Sequence, residues 1–250
     1  MSAQNIYDDP QFFAGYSQLT RSVQGLNGAP EWPALRALLP PLAGRRVLDL
    51  GCGFGWFSRW ALGQGASEVL GLDVSENMLA RARAEGPADG ATALRYQRTD
   101  LEHLERLSLP EAGFDLAYSS LVLHYIENLD GLLAELKRLL APGAALVLSL
   151  EHPIFTAPRR QGWARDADGQ RHWPVDGYAL EGPRVSDWLA SGVIKQHRRL
   201  DSYLNALLRH GFVLSNLQEW HPSDAQIAAA PALAEERERP MFLLIAARRV

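Results

Sequence analysis

From Arg45 onward, short apolar runs alternate with stretches of mixed polarity. The run 45–53, RRVLDLGCG, is apolar through its middle and ends on glycines, which predicts a buried strand and its turn. SEVLGLDVS (67–75), LRYQRTD (94–100), GFDLAYSS (113–120) and AALVLSLE (144–151) repeat the pattern. Helices are predicted between them over Gly55–Gly63, over Glu76–Glu85 with Ser75 as N-cap, and over Asn128–Leu140, closed by Pro142-Gly143. This β-α-β-α rhythm demands a mostly parallel, doubly wound α/β sheet with helices on both faces.

The flanks read differently. Residues 1–28 predict helical turns with Phe12, Phe13, Tyr16 and Leu19 spaced along them, and Glu31–Leu39 a helix stopped by Pro40 and Pro41. Residues 152–198 break the rhythm and carry Trp163, Trp173, Tyr178 and Trp188 among scattered Gly and Pro. That is too long for a bare connection, so it reads as a functional loop or small subdomain. Helix Asp201–His210 and strands Phe212–Trp220 and Met241–Arg248 follow. No clear crossover helix separates the last two strands, which predicts an antiparallel edge pair. The division is one domain, 1–250, with a helical cap at 1–44, a cofactor-binding half at 45–151, a substrate-cover insertion at 152–200 and a closing helix and strands at 201–250.

Composition adds exclusions. With 25 Lys+Arg against 29 Asp+Glu the formal charge is −4, so no basic surface for gripping a nucleic-acid backbone is implied. The lone cysteine, Cys52, cannot form an internal disulfide. The N-terminus lacks a basic start and apolar run, and no stretch approaches the ~20 apolar residues of a membrane span. The expectation is a cytoplasmic monomer or homodimer without membrane contact.

The chemistry concentrates in Val47-Leu48-Asp49-Leu50-Gly51-Cys52-Gly53-Phe54-Gly55. Alternate glycines after a strand let the backbone bend sharply beside a ligand, and the next helix points its N–H groups there. The third glycine comes one residue earlier than in the dinucleotide spacing G-x-G-x-x-G. Asp49 would repel a pyrophosphate but suits an ammonium group, so S-adenosylmethionine fits better than NAD. Asp73, ending the second strand, is placed to accept from ribose hydroxyls. Asp100, after the third, is placed to accept from an adenine amino group beside apolar Leu101. For both acids, the plainer reading is a helix cap. All three acids fall at strand C-termini, the ligand edge of an open α/β sheet.

VLDLGCGFG (47–55), GLDVSENML (71–79) and FDLAYSSLVLHY (114–125) resemble the signatures of class I S-adenosylmethionine-dependent methyltransferases, in particular a small-molecule, type 11-like branch. The resemblance covers about 45–151 and implies a Rossmann-like, seven-stranded sheet with an antiparallel last strand. It implies Asp49 and Gly51 against the methionine part of the donor, with Gly53 and Gly55 completing the bend. It further implies Asp73 on the ribose, Val74 and Met78 along the adenosine, and Asp100 and Leu101 flanking the adenine. Ser119 and His124 would line the donor cavity. In related enzymes the N-terminal helical stretch folds over the donor, which would bring Tyr16 and Arg21 to its carboxylate.

Methyl transfer from a sulfonium needs alignment, a dry site and, for an O or N acceptor, a base. His124, Glu151 and His152 follow strands four and five and are the candidates; structural hydrogen bonds are the alternative. Trp163, Trp173, Tyr178 and Trp188 read as an aromatic wall over the substrate or as the mini-core of their own loop. Arg198 and Tyr203, where the chain returns, are further substrate candidates, with Lys195 and Arg198 either meeting an acidic substrate group or forming a solvated cationic stretch. The histidines lack close metal-ligand spacing, so no metal site is expected. The leading expectation is methylation of an O, N or C atom of a small molecule. The rivals are a tRNA or protein methyltransferase, a nicotinamide-dependent oxidoreductase and a non-catalytic binding module.

Overall fold

The computed structural model describes residues 4–86 and 93–250; residues 1–3, part of the predicted N-terminal helical stretch, lie outside it. The cap comprises α1 (Pro10–Ser17), α2 (Thr20–Val23) and α3 (Trp32–Ala37). Then β1 (Arg46–Leu50), α4 (Trp56–Gly63), β2 (Glu68–Asp73), α5 (Glu76–Ala84), β3 (Leu94–Arg98), β4 (Phe114–Ser120), α6 (Leu129–Leu139) and β5 (Leu140–Glu151) follow the predicted alternation. The insertion holds α7 (Pro153–Thr156) and two antiparallel ribbons, β6 (Ala164–Arg165) with β7 (Arg171–His172), and β8 (Gly182–Ser186) with β9 (Val193–His197). The chain closes with α8 (Leu200–Arg209), β10 (Phe212–Glu219), α9 (Asp224–Ala229) and β11 (Phe242–Arg249).

The main sheet has seven strands in the order β10-β11-β5-β4-β1-β2-β3. β1 to β5 run parallel, while β11 is antiparallel to both neighbours. This is the Rossmann-like methyltransferase fold, α/β and doubly wound. The last two strands form the expected antiparallel pair at the edge of the sheet, with β10 outermost and β11 between it and β5. The sequence of β11 explains this. Phe242 to Ala247 is buried throughout, whereas β10 is exposed along much of its length. The strand apolar on both faces takes the interior position. The connection between them is also not bare, holding α9 and the 3-10 turn Pro231–Arg237.

Successive strand residues feed opposite layers, as a period of two requires. Leu146, Leu148 and Leu150 of β5 and Leu243, Ile245 and Ala247 of β11 pack with α6 and α8. Val147, Leu244 and Ala246 pack on the other face with Trp32, Phe57 and Trp220. α6 ends at Leu139, before the expected Pro142-Gly143 stop. Leu140 already pairs with Phe114, and the Pro-Gly step lies in a bulge before Ala145 regains register opposite Leu116.

Two helix starts matter for the site. Asn128 Oδ1 accepts from the Gly131 N–H at 3.0 Å, and Ser75 Oγ accepts from the Met78 N–H at 3.1 Å. Ser75 Oγ also donates to Asp8 Oδ1 at 2.5 Å, pinning the N-terminal segment to α5. Ser75→Ala removes both bonds. Denaturant titration of this variant is expected to show stability lower by about 1–2 kcal/mol.

Candidate active site

The bend after β1 is held by backbone geometry that glycine alone adopts without strain. Gly51, Gly53 and Gly55 have φ of 69°, 53° and 72°. A Cβ on Gly51 would stand 2.3 Å from Val122 Cγ2, and one on Gly55 would stand 2.2 Å from the Tyr96 hydroxyl. A Cβ on Gly53 would meet nothing within 4 Å, so there the positive φ is the constraint. The Gly53 N–H donates to Asp73 Oδ2 at 2.8 Å, and the Ser75 N–H donates to Asp73 Oδ1 at 2.9 Å. Asp49 is buried and accepts from Ser58 Oγ of α4 at 2.5 Å. Asp100 caps the turn after β3, accepting from the Glu102 N–H at 3.0 Å.

Above this bend is a cavity of about 1060 Å³. Its wall brings together Tyr16, Arg21, Asp49, Gly51, Gly53, Asp73, Val74, Met78, Asp100, Leu101, His124 and Glu151. Gly55 and Ser119 stand outside the lining: Gly55 makes room for Tyr96, and Ser119 Oγ donates to the Leu50 carbonyl at 3.2 Å. Arg21 lines the wall but is engaged by Glu31 at 3.1 Å.

The cap and the insertion roof the cavity together. The Gln4 side-chain amide donates to the Gly192 carbonyl and accepts from the Ile194 N–H, both at 2.8 Å. Trp188 packs edge-on against Phe12, with ring centroids 5.5 Å apart, and against Tyr16 at 6.3 Å. Tyr7 meets Tyr16 at 5.3 Å, and its hydroxyl lies 3.4 Å from that of Tyr125.

At the far end, the three candidate bases part ways. Glu151 Oε1 accepts from Lys195 Nζ at 2.5 Å, while Glu151 Oε2 is buried without a protein partner. Burial raises this carboxyl above its ordinary range, with Lys195 pulling the other way. His124 is buried, its Nδ1 accepts from the Glu151 N–H at 3.3 Å, and burial followed by the Lys195 charge holds it neutral, well below the usual imidazole value. That bond leaves the ring proton on Nε2, which suits donation. His152 lies off the cavity wall with both nitrogens occupied. Nδ1 caps α7 by accepting from the Ile154 N–H at 3.0 Å, and Nε2 sits 2.9 Å from Glu219 Oε1.

Of the expected aromatic wall, Trp188 lines the cavity. Trp163, Trp173 and Tyr178 do not, and the insertion's need for a core of its own explains them. Trp173 stacks on Phe155 at 5.4 Å and meets Trp163 edge-on, around the guanidinium of Arg239. The Tyr178 hydroxyl accepts from the Leu200 N–H at 3.1 Å. Arg198 and Tyr203 also stand off the wall. Arg198 Nη2 donates to the Ile126 and Glu127 carbonyls, both at 2.7 Å, bracing the loop after β4, and its guanidinium lies over the Tyr203 ring.

Several wall residues carried no pattern in the sequence. Ser22 Oγ, Trp56 Nε1 and Thr99 Oγ1 are buried without protein partners, and their residues line the cavity. A polar ligand satisfies such atoms, so the wall fits a nucleoside bearing an amino-acid tail. Tyr7 and Glu236 were likewise invisible, because chain-distant contacts put them there. Among the described residues no group of three or more His, Cys, Asp or Glu side chains is placed to hold a metal ion, and no helix is long and apolar enough to cross a membrane.

Comparison with known proteins agrees with this architecture. Residues 48–148 match the family model of a methyltransferase domain. A solved S-adenosylmethionine-dependent methyltransferase from Mesorhizobium loti is 58% identical, covers 90% of this chain and 100% of its own, and superposes with a TM-score of 0.84. A malonyl-[acyl-carrier protein] O-methyltransferase of Methylococcus capsulatus is 32% identical over 93% of this chain and 76% of its own length. The enzyme of the same name from Enterobacter lignolyticus is 37% identical, but the match spans about half of each, 56% of this chain and 51% of that protein. The chain belongs to the class I S-adenosylmethionine-dependent methyltransferase family. It is a methyltransferase, and S-adenosylmethionine is its cofactor.

Burial raises Asp49 to about 7 and Asp73 to about 6, from 3.8. Between those limits the folded chain holds more protons on these acids than the unfolded chain does. Their contribution to stability is therefore full below about pH 4 and lost as pH rises toward 7. His124 and His152, lowered by burial, act with the opposite sign below about pH 6.5, so ligand affinity is the cleaner observable. A cationic ligand favours the ionised acids. Affinity for S-adenosylmethionine, measured by calorimetry, is expected to rise from pH 5.5 to 7.5, and Asp49→Asn is expected to flatten the rise.

Proposed function

We propose that the chain methylates an O, N or C atom of a small molecule held in the roofed cavity. The observation that carries this reading is that the donor-side acids and the Glu151–Lys195 end share one cavity, lined also by Gln4, Tyr7 and Trp188. A tRNA acceptor calls for a basic apron, whereas the cations among the described wall residues are Arg21 and Lys195. A nicotinamide cofactor would set its pyrophosphate against buried Asp49.

On this reading Asp49 faces the donor's ammonium, Asp73 its ribose hydroxyls, and Asp100 with Leu101 its adenine. Val74 and Met78 flank the adenosine, and Gly51 and Gly53 give the backbone close approach. Tyr16 and Arg21 close over the donor's amino-acid end, where Arg21 stays paired to Glu31. When bound, S-adenosylmethionine supplies a methyl group already activated on a sulfonium. The chain's own part is alignment, exclusion of water and removal of a proton. Glu151 is the base, since Oε2 is free and burial has made the carboxyl a better proton acceptor. His124 donates from Nε2 to orient the acceptor. His152 is left as a structural cap.

A second reading, O-methylation of a carboxylate carried on an acyl-carrier protein, draws on the similarity to the malonyl-[acyl-carrier protein] enzymes. A screen for S-adenosylhomocysteine release, run over metabolite acceptors and malonyl-[acyl-carrier protein] side by side, separates the two. Release from small acceptors is expected; release from the carrier substrate alone would reverse the order. Asp73→Ala is expected to weaken donor binding by about 1.5–3 kcal/mol in calorimetry, the worth of a charge-assisted hydrogen bond. Unchanged affinity would remove the ribose assignment.

A further inference from the structure

The acceptor end has a charge pattern that donor binding leaves unused. Among the described residues, eight carboxylate side chains line the cavity against two cations, Arg21 and Lys195. Both cations are already engaged, Arg21 by Glu31 at 3.1 Å and Lys195 by Glu151 at 2.5 Å. Glu151, at the end of β5, and Glu236, in the turn before β11, stand apart from the three donor-side acids. The Glu236 side chain is 7% exposed, pairs with Arg239 at 2.7 Å and keeps Oε2 unpartnered, as Glu151 does. Both carboxylates line the same cavity. Aromatic faces accompany them, with Lys195 over Trp188 at 5.1 Å and Arg239 over Phe155 at 4.6 Å.

Each pair is neutral and leaves one buried acceptor oxygen without a donor, which costs free energy until a ligand supplies one. An anion brought here would find Lys195 and Arg239 already committed to Glu151 and Glu236, with two carboxylate oxygens facing it. A hydroxyl offers a single donor, whereas an amine offers two or three, and its cationic form is welcomed by aromatic faces. We infer that the methyl acceptor is an amine, presented to the free oxygens of Glu151 and Glu236, and that carboxylates and phosphates are turned away. This rests on the cavity being the methyltransferase site, and it names the acceptor class for that site.

The test is calorimetry on the full chain saturated with S-adenosylhomocysteine, titrated with phenethylamine and with phenylpropionate, which match in ring and length and differ in charge. The amine is expected to bind at least about tenfold tighter, as a charge-assisted hydrogen bond would give. Glu151→Gln and Glu236→Gln are each expected to narrow that preference while S-adenosylhomocysteine affinity stays within about twofold, the tolerance for independent sites. Phenylpropionate binding as tightly as the amine, neither probe binding, or folded Gln variants that keep the full preference would each overturn the inference. The comparison on the parent chain decides even if a variant fails to fold. Failure of S-adenosylhomocysteine to bind would sink the donor reading itself, whereas its binding without an amine preference would sink the acceptor class alone.

Discussion

One buried carboxylate organises the glycine bend. Asp73 accepts from the Gly53 N–H of one strand–helix connection and the Ser75 N–H of the next, and so fixes the bend after β1 relative to the end of β2. Burial makes the charge costly, and its carboxyl rises to about 6. Backbone donors at two turns offset part of that cost. The arrangement requires a residue tolerant of positive φ at position 53, and only glycine meets this without strain. Asp49, the second buried acid, is held by Ser58 just beneath the same bend.

The roof depends on a different kind of contact. Gln4 reaches β9 across most of the chain, and Asp8 accepts from Ser75 Oγ and the Asn77 N–H. The amino-terminal segment is thus tied both to β9 and to the start of α5. Ring packing among Tyr7, Phe12, Tyr16 and Trp188 fills the seam. These contacts hold the three segments together along one wall of the cavity.

The paired acids at the far end are themselves buried. A buried ion pair is weak evidence for stability, since desolvation cancels much of its attraction. Lys195–Glu151 and Arg239–Glu236 are better understood as pre-oriented polar groups, each cation holding a carboxylate in place with one oxygen to spare. Arg239 is in turn boxed by Phe155, Trp163 and Trp173, so the insertion's aromatic residues position this end indirectly.

Local rules read from the chain sufficed for the alternating strands and helices, the Ser75 cap, the glycine bend and the three acids at strand ends. These features repeat at short range, and backbone sterics and periodicity dictate them. The insertion of β11 inside the sheet, the closing of the cap over the bend, and the sorting of Glu151 from His152 came only with the fold. The two residues are consecutive at the end of β5, yet one faces the cavity beside Lys195 and the other caps α7. Likewise Trp188 reaches the cavity while Trp163 and Trp173 wrap an arginine. Residue type and spacing say which chemistry a side chain carries. Which cavity it enters is settled by contacts between segments far apart in the chain, and no local pattern encodes those.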